Sequence, residues 1–242
     1  MSWLVRLIRV SVFPVADFED WKSPTFEELF GIAAENRITP SPGTRVEDGP
    51  FGRGRVGVQR QFSPQPRADL FYRVSNTAAG SERDLGTLDE ALGTIGPMAR
   101  ALVAGSEPIV RIALGVEQFE SAQDVDAAYA ILSDRISPRM GDLKGASDLI
   151  FQINRPRESG AVPGLRINRL AKWVVSQRQK VTLVPATGEF VAEGDPEVAA
   201  EVQTDVNTDL ARVESLPNVN MDALLAELWA LTRQIALEGD VP

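Results

Sequence analysis

The sequence predicts an α+β protein: a largely antiparallel sheet, or sheets, with helices packed on one side. Three observations predict it. Short stretches with alternating apolar residues recur at 3–13, 54–62, 68–75, 108–117 and 198–207. Two long segments with a helical apolar stripe, 84–104 and 220–238, each follow a group of these strands. A strand–helix–strand order suited to a parallel crossover occurs at most once, over 108–154.

Residues 3–13 read as a strand because Ile8, Val10 and Val12 alternate with Arg9 and Ser11. Arg6 and Arg9 interrupt the apolar run, so this stretch does not read as a signal peptide. Residues 14–52 lack a period. They contain a short helix at 24–35, opened by Pro24 with Glu27 and Glu28 in its first turn, and the turn-forming stretches Thr39-Pro-Ser-Pro-Gly43 and Glu47-Asp-Gly-Pro50. Ser63-Pro-Gln-Pro66 connects the strands at 54–62 and 68–75. In 84–104, Leu85, Leu88, Leu92, Ile95, Ala99 and Leu102 form an apolar seam, with a kink expected at Pro97 and a stop at Gly105.

Ser121-Ala-Gln-Asp124 reads as an acidic capping box opening a helix to Ile136, ended by Pro138 and Gly141. Strands are expected at 148–154, 164–170 and 171–184. The final helix, capped by Asn220 and ended by Gly239, carries Met221, Leu224, Leu225, Leu228, Leu231 and Ile235. The order suggests two similar α+β halves, 1–118 and 119–242, either separate or forming one continuous domain.

Composition removes many mechanisms. The chain has no Cys and no His, so disulfides, Ser-His-Asp and Cys-His sites, and His-ligated zinc or haem are excluded. Carboxylates, Lys, Tyr, Ser, Thr and Arg remain. No stretch reaches the roughly 20 apolar residues of a membrane helix, and the cytoplasm is the expected compartment. Arginine far outnumbers lysine, which suggests a GC-rich bacterial or phage coding sequence.

Several motifs fail in context. Gly52-Arg-Gly-Arg-Val-Gly57 has the letters of a dinucleotide loop, but a Pro/Gly loop precedes it and a strand follows. Asp205-Val-Asn-Thr-Asp209 starts like a calcium loop, yet its sixth and twelfth positions are Leu210 and Leu216. On a strand, Asp205, Asn207 and Asp209 would share a face, and with Asp195 or Glu197 they are the candidate set for a divalent metal. Asp17, Glu19 and Asp20 beside Trp21 supply acids without a defined separation. The pairs Lys144/Ser147 and Lys172/Ser176 carry no sign of the burial a Ser-Lys site needs.

Charge distribution is the unusual feature. Residues 151–184 hold Arg155, Arg157, Arg166, Arg169, Lys172, Arg178 and Lys180 against Glu158 alone, and 51–76 hold Arg53, Arg55, Arg60, Arg67 and Arg73 against Asp69 alone. Residues 189–242 are strongly acidic, and the whole chain carries −9. The sequence therefore predicts a non-enzymatic binding protein without a cofactor. Arg155, Arg157, Arg166, Arg169, Lys172 and Arg178, with Arg53, Arg55 and Trp173, would engage an acidic protein partner. Tyr72 and Phe151 would add stacking. The alternatives are a divalent-metal enzyme on phosphate esters or sugars, and a nucleic-acid-binding protein; net acidity weighs against the latter. The 85–102 seam reads either as packing within the fold or as a homodimer contact.

Overall fold

In a computed structural model the alternating stretch near the start of the chain forms β1 (Leu4–Pro14), a central strand. The structure describes residues 3–15, 21–62, 66–75, 84–106, 108–136, 143, 145, 147–184, 188–209, 214–216 and 221–239. After β1 come α1 (Phe26–Phe30), β2 (Asn36–Ser41), β3 (Thr44–Phe51), β4 (Gly54–Gln61), β5 (Arg67–Arg73) and α2 (Leu88–Gly105). The rest comprises β6 (Ile109–Ala122), α3 (Val125–Ser133), β7 (Ile150–Asn154), β8 (Arg157–Glu158), β9 (Arg166–Val184), β10 (Glu189–Thr208) and α4 (Met221–Glu238). Among the described residues this is an α+β fold: four helices and one sheet, ordered β2-β3-β4-β5-β1-β6-β10-β9-β7, with β8 beside β9. Every pairing is antiparallel, so 108–154 forms no parallel crossover.

Counted outward from the β1/β6 pair, the two arms read β1-β5-β4-β3-β2 and β6-β10-β9-β7, and each chain segment closes on a long helix. Position 118 lies inside β6, so the sheet runs unbroken through it.

Register assigns the two faces. Val58, Leu70, Val10, Leu114 and Val206 lie directly opposite one another on successive strands, and all are buried. They join a core with Leu92, Ile95 and Leu102 of α2, Tyr129 of α3, and Leu224 and Leu228 of α4. Each such side chain contributes about 1.5–3 kcal/mol on leaving water. The apolar seam of 85–102 packs here: Leu85, just before α2, and Leu88, Leu92, Ile95, Ala99 and Leu102 within it are all buried. Gly96 lets the ring of Trp229 in α4 lie against α2, since a Cβ there would come within 2.8 Å of it.

Local chemistry sets the helix ends. Thr87 and Glu90 form a capping box, so α2 starts at Leu88 and not at 84. At α3 the cap is Asp124, whose carboxylate accepts from the Ala127 N–H at 2.8 Å, because Ser121 is still paired in β6. α4 ends where Gly239 takes φ +75°; a Cβ there would meet the Arg135 carbonyl at 2.0 Å. The Asn220 cap, Pro138, Gly141, Lys144, and Asp17, Glu19 and Asp20 lie outside the described residues.

The hairpin of β2 and β3 contains both stretches expected as turns. β2 is an exposed edge strand, where Pro40 breaks no ladder. In β3 the residues Thr44 and Asp48 are buried polar groups, so apolar alternation is missing. Strands β9 and β10 run past the ends of their neighbours, whose last pairs are Ile150 with Val174 and Ala122 with Val198. The ribbon beyond exposes Val181, Val191 and, at 72%, Phe190. Because these side chains pack on little, Phe190→Ser is expected to change stability by less than about 0.5 kcal/mol in urea unfolding.

Glu227 of α4 pins the loop before β9. Its carboxylate accepts from Ser159 Oγ at 2.6 Å, Gly160 N at 2.8 Å and Ala161 N at 3.2 Å. Burial raises its pKa, but these hydrogen bonds outweigh that and hold the carboxyl below its ordinary value. Its folded-state pKa is therefore depressed. The stabilisation is present above the usual carboxylate range and is lost as pH falls through the depressed value. Glu227→Ala is expected to cost about 2 kcal/mol at neutral pH and much less under strongly acidic conditions, measured by denaturant titration at each pH.

Candidate interaction face

The face opposite the core carries the charge. One row of directly opposed residues crosses nine strands: Asn36, Asp48, Gly57, Phe71, Arg9, Gly115, Asp205, Leu170 and Asn154. The neighbouring row holds Arg55, Arg73, Leu7, Glu117, Gln203, Lys172 and Gln152. Residues two apart on a strand share a side, so Arg67, Asp69, Ser11, Phe13, Arg111, Glu201 and Arg178 belong to the same face.

Three carboxylates on this face, Asp48, Asp69 and Glu201, lie deep, beneath arginines. Asp48, 5% exposed, accepts from Arg55 Nη2 at 2.5 Å, Asn36 Nδ2 at 2.8 Å and Arg73 Nη2 at 3.4 Å. Burial disfavours its charge, yet the hydrogen bonds from Arg55 and Asn36 prevail and keep its pKa below the ordinary value. The bond to Asp48 in turn raises the pKa of Arg55, which also reaches Glu35 at 2.7 Å. Asp69 is held by Ser11 at 2.5 Å and Arg67 at 2.9 Å. Glu201 pairs with Arg6, with Arg178 at 2.9 Å and with Ser176 Oγ at 2.6 Å.

Gly57 has a physical reason. The Phe71 ring lies against it, its Cζ 2.2 Å from where a Cβ would stand, and Arg73 sits 5.2 Å from that ring. Gly57→Val is expected to displace Phe71 and destabilise by about 1–3 kcal/mol, read from the unfolding midpoint.

The central cations stand apart from these pairs. Among the described residues Arg9, Arg111 and Lys172 make no direct ion pair with a carboxylate. Arg9 and Lys172 line a shallow basin of about 370 Å³ with Glu117, Asp205, Gln152 and Gln203, and Gly115 forms its floor. The Arg9 guanidinium lies 3.8 Å from where a Gly115 Cβ would be. Arg111 rests over the Phe13 ring at 4.6 Å; burial lowers its pKa, while Asp205 opposes that shift.

The arginines expected on one plane are divided by strand alternation. Lys172, Arg166 and Arg178 share the charged side of β9, with Arg55 across the sheet. Arg169 lies in the core row, opposite Val206, and is 5% exposed. Its expected partner-binding role is corrected: it lines a small void with Arg155, Trp173, Ile235 and Gly239, where a cation suits the C-terminal end of α4. Arg157 is opposed to Ile167 of the core row. Trp173 is also a correction. It is 1% exposed and packs on Phe151 with centroids 5.6 Å apart, so it offers no free ring for stacking; Tyr72, likewise 1% exposed, offers none either. Arg53 lies at the β3–β4 turn, 3.4 Å from Asp84.

Asp205 and Asn207 share the charged face, but the Asn207 amide donates to Asp205 at 2.9 Å and accepts from Asn168 at 3.3 Å. A cation there would face the Asn207 NH₂. Among the described residues no group of three His, Cys, Asp or Glu is placed to hold a metal. Of the pairs Lys172/Ser176 and Lys144/Ser147, the first stands on β9, and Ser176 is engaged by Glu201. No described helix is long and apolar enough to cross a membrane.

Comparison with family models, with curated proteins and with solved structures found no match to this chain. The functional reading therefore rests on the face itself.

Sequence reasoning missed Arg9 and Arg111. Arg9 shares β1 with Arg6, and Arg111 is the one arginine of β6; only the register brings Arg9 into one basin with Lys172.

Proposed function

We propose that the chain is a non-enzymatic binding protein of bacterial or phage origin, acting in the cytoplasm, that engages an acidic macromolecular partner through this sheet face. The four helices lie on the other side in this reading and leave the charged rows accessible. One observation carries it: three cations on central strands, Arg9, Arg111 and Lys172, have no direct ion-pair partner among the described residues, whereas Asp48, Asp69 and Glu201 lie beneath arginines. In a chain of net charge −9, Arg9 and Lys172 share a basin with Glu117 and Asp205, and Arg111 lies further along the same face. Such a region steers and orients an acidic partner.

The test is calorimetric titration with hexaglutamate and, separately, with oligo-uridylate at about 50 mM and about 200 mM salt. Saturable hexaglutamate binding that weakens with salt is expected. Tighter binding of oligo-uridylate would instead support the nucleic-acid reading, and no heat with either would end the proposal.

A further inference from the structure

We infer a second site, independent of the sheet face: a cavity for a small, neutral, largely apolar molecule bearing a hydroxyl or primary amide. It lies where β1 begins. Leu4 bridges to Thr87, and Val5 exchanges backbone hydrogen bonds with Leu85 and Gly86, which brings the start of α2 to this end of the sheet. The last turn of α4 and Arg135, beyond α3, complete the walls around about 230 Å³.

Two residues that line this space each carry a buried polar atom with no hydrogen-bond partner among the described residues: Trp3 Nε1, a donor, and Gln118 Oε1, an acceptor. Their residues are 7% and 2% exposed. Leaving such groups unmet is costly, so an unmet donor and acceptor on two residues around one cavity point to an occupant. The charges at the rim are already engaged. Arg233 holds Asp89 at 2.5 Å, and Arg135 donates to the Leu237 carbonyl. The groups left over are neutral, one donating and one accepting. A hydroxyl or primary amide can accept from the indole and donate to the glutamine at once. Leu88, Ala236 and Leu237 provide apolar wall for the body of the ligand. A cavity of about 150 Å³ already holds benzene, so a benzyl-sized body fits.

The test uses the full chain with ¹⁵N-labelled tryptophan, its indole signals assigned by Trp3→Phe. It is titrated with benzyl alcohol, benzamide, toluene and benzoate. The Trp3 indole signal is expected to shift saturably with the alcohol and the amide, and at least about tenfold more weakly with toluene and benzoate. Gln118→Met should weaken alcohol binding by about tenfold. Ala236→Leu, which fills the space without touching either polar group, should abolish it; this variant keeps the test valid if a change at Trp3 or Gln118 unfolds the chain. Equal responses to all four compounds, no saturable shift, or a single bound water with no ligand uptake would overturn the assignment.

Discussion

Glu201→Leu is expected to destabilise the protein by about 3–5 kcal/mol, among the largest effects of any single substitution here. The Glu201 side chain is 7% exposed and that of Arg6 is 11% exposed, with the Arg6 guanidinium 3.9 Å from the Phe119 ring centroid. Burial lowers the Arg6 pKa, Arg178 adds repulsion, and the Glu201 charge opposes both. Removing that carboxylate leaves two cations facing each other, one of them desolvated, and strands the Ser176 hydroxyl. For a chain of this size the loss corresponds to a fall in melting temperature of about 10 °C. Adding Arg6→Leu should restore most of the stability, because an apolar pair of similar volume replaces the ion pair without leaving a buried charge. Thermal unfolding of both variants decides it. A single-variant loss below about 1 kcal/mol would show that Arg6 is not dependent on Glu201.

The second large effect concerns binding. Arg9→Glu combined with Lys172→Glu is expected to weaken hexaglutamate binding more than tenfold. Both side chains line the same basin, and reversing both replaces attraction by repulsion beside Glu117 and Asp205. Stability should fall modestly, because the new carboxylates stand beside Glu117 and Asp205, although neither original side chain makes a direct ion pair among the described residues. Arg157→Glu, on a strand position opposed to the core row, is the control and should leave binding within about twofold. Calorimetry on the three proteins reads all of this. Equal weakening by the control would mean that net charge, and not the face, governs the interaction.

The sequence made the core legible and the site much less so, and the reason is periodicity. Val10, Leu114 and Val206 announce their strands by alternation, and Leu92, Ile95 and Leu102 announce α2 by their spacing. These patterns are local. The β2–β3 hairpin hid itself because Asp48 is buried as an ion pair and Ile38 is exposed, which inverts the usual pattern. The sequence predicts two strands, 164–170 and 171–184, where pairing with β10 keeps β9 continuous from Arg166 to Val184. The charge count along 151–184 could not separate Lys172 from Arg169, because an odd separation along a strand sends one to the basin and the other to the core. Arg9 and Lys172 come together only through the pairing of β1, β6, β10 and β9. That is a long-range property with no local signature.

The chain's lysines, Lys22, Lys144, Lys172 and Lys180, allow the central claim to be read directly. Carbodiimide joins a bound carboxylate to a neighbouring lysine amine, so hexaglutamate coupled in this way and mapped by mass spectrometry reports which surface it occupies. Coupling at Lys172 in preference to Lys22, suppressed by Arg9→Glu, is the result this account predicts. Coupling led by Lys22, or indifferent to Arg9, would contradict it.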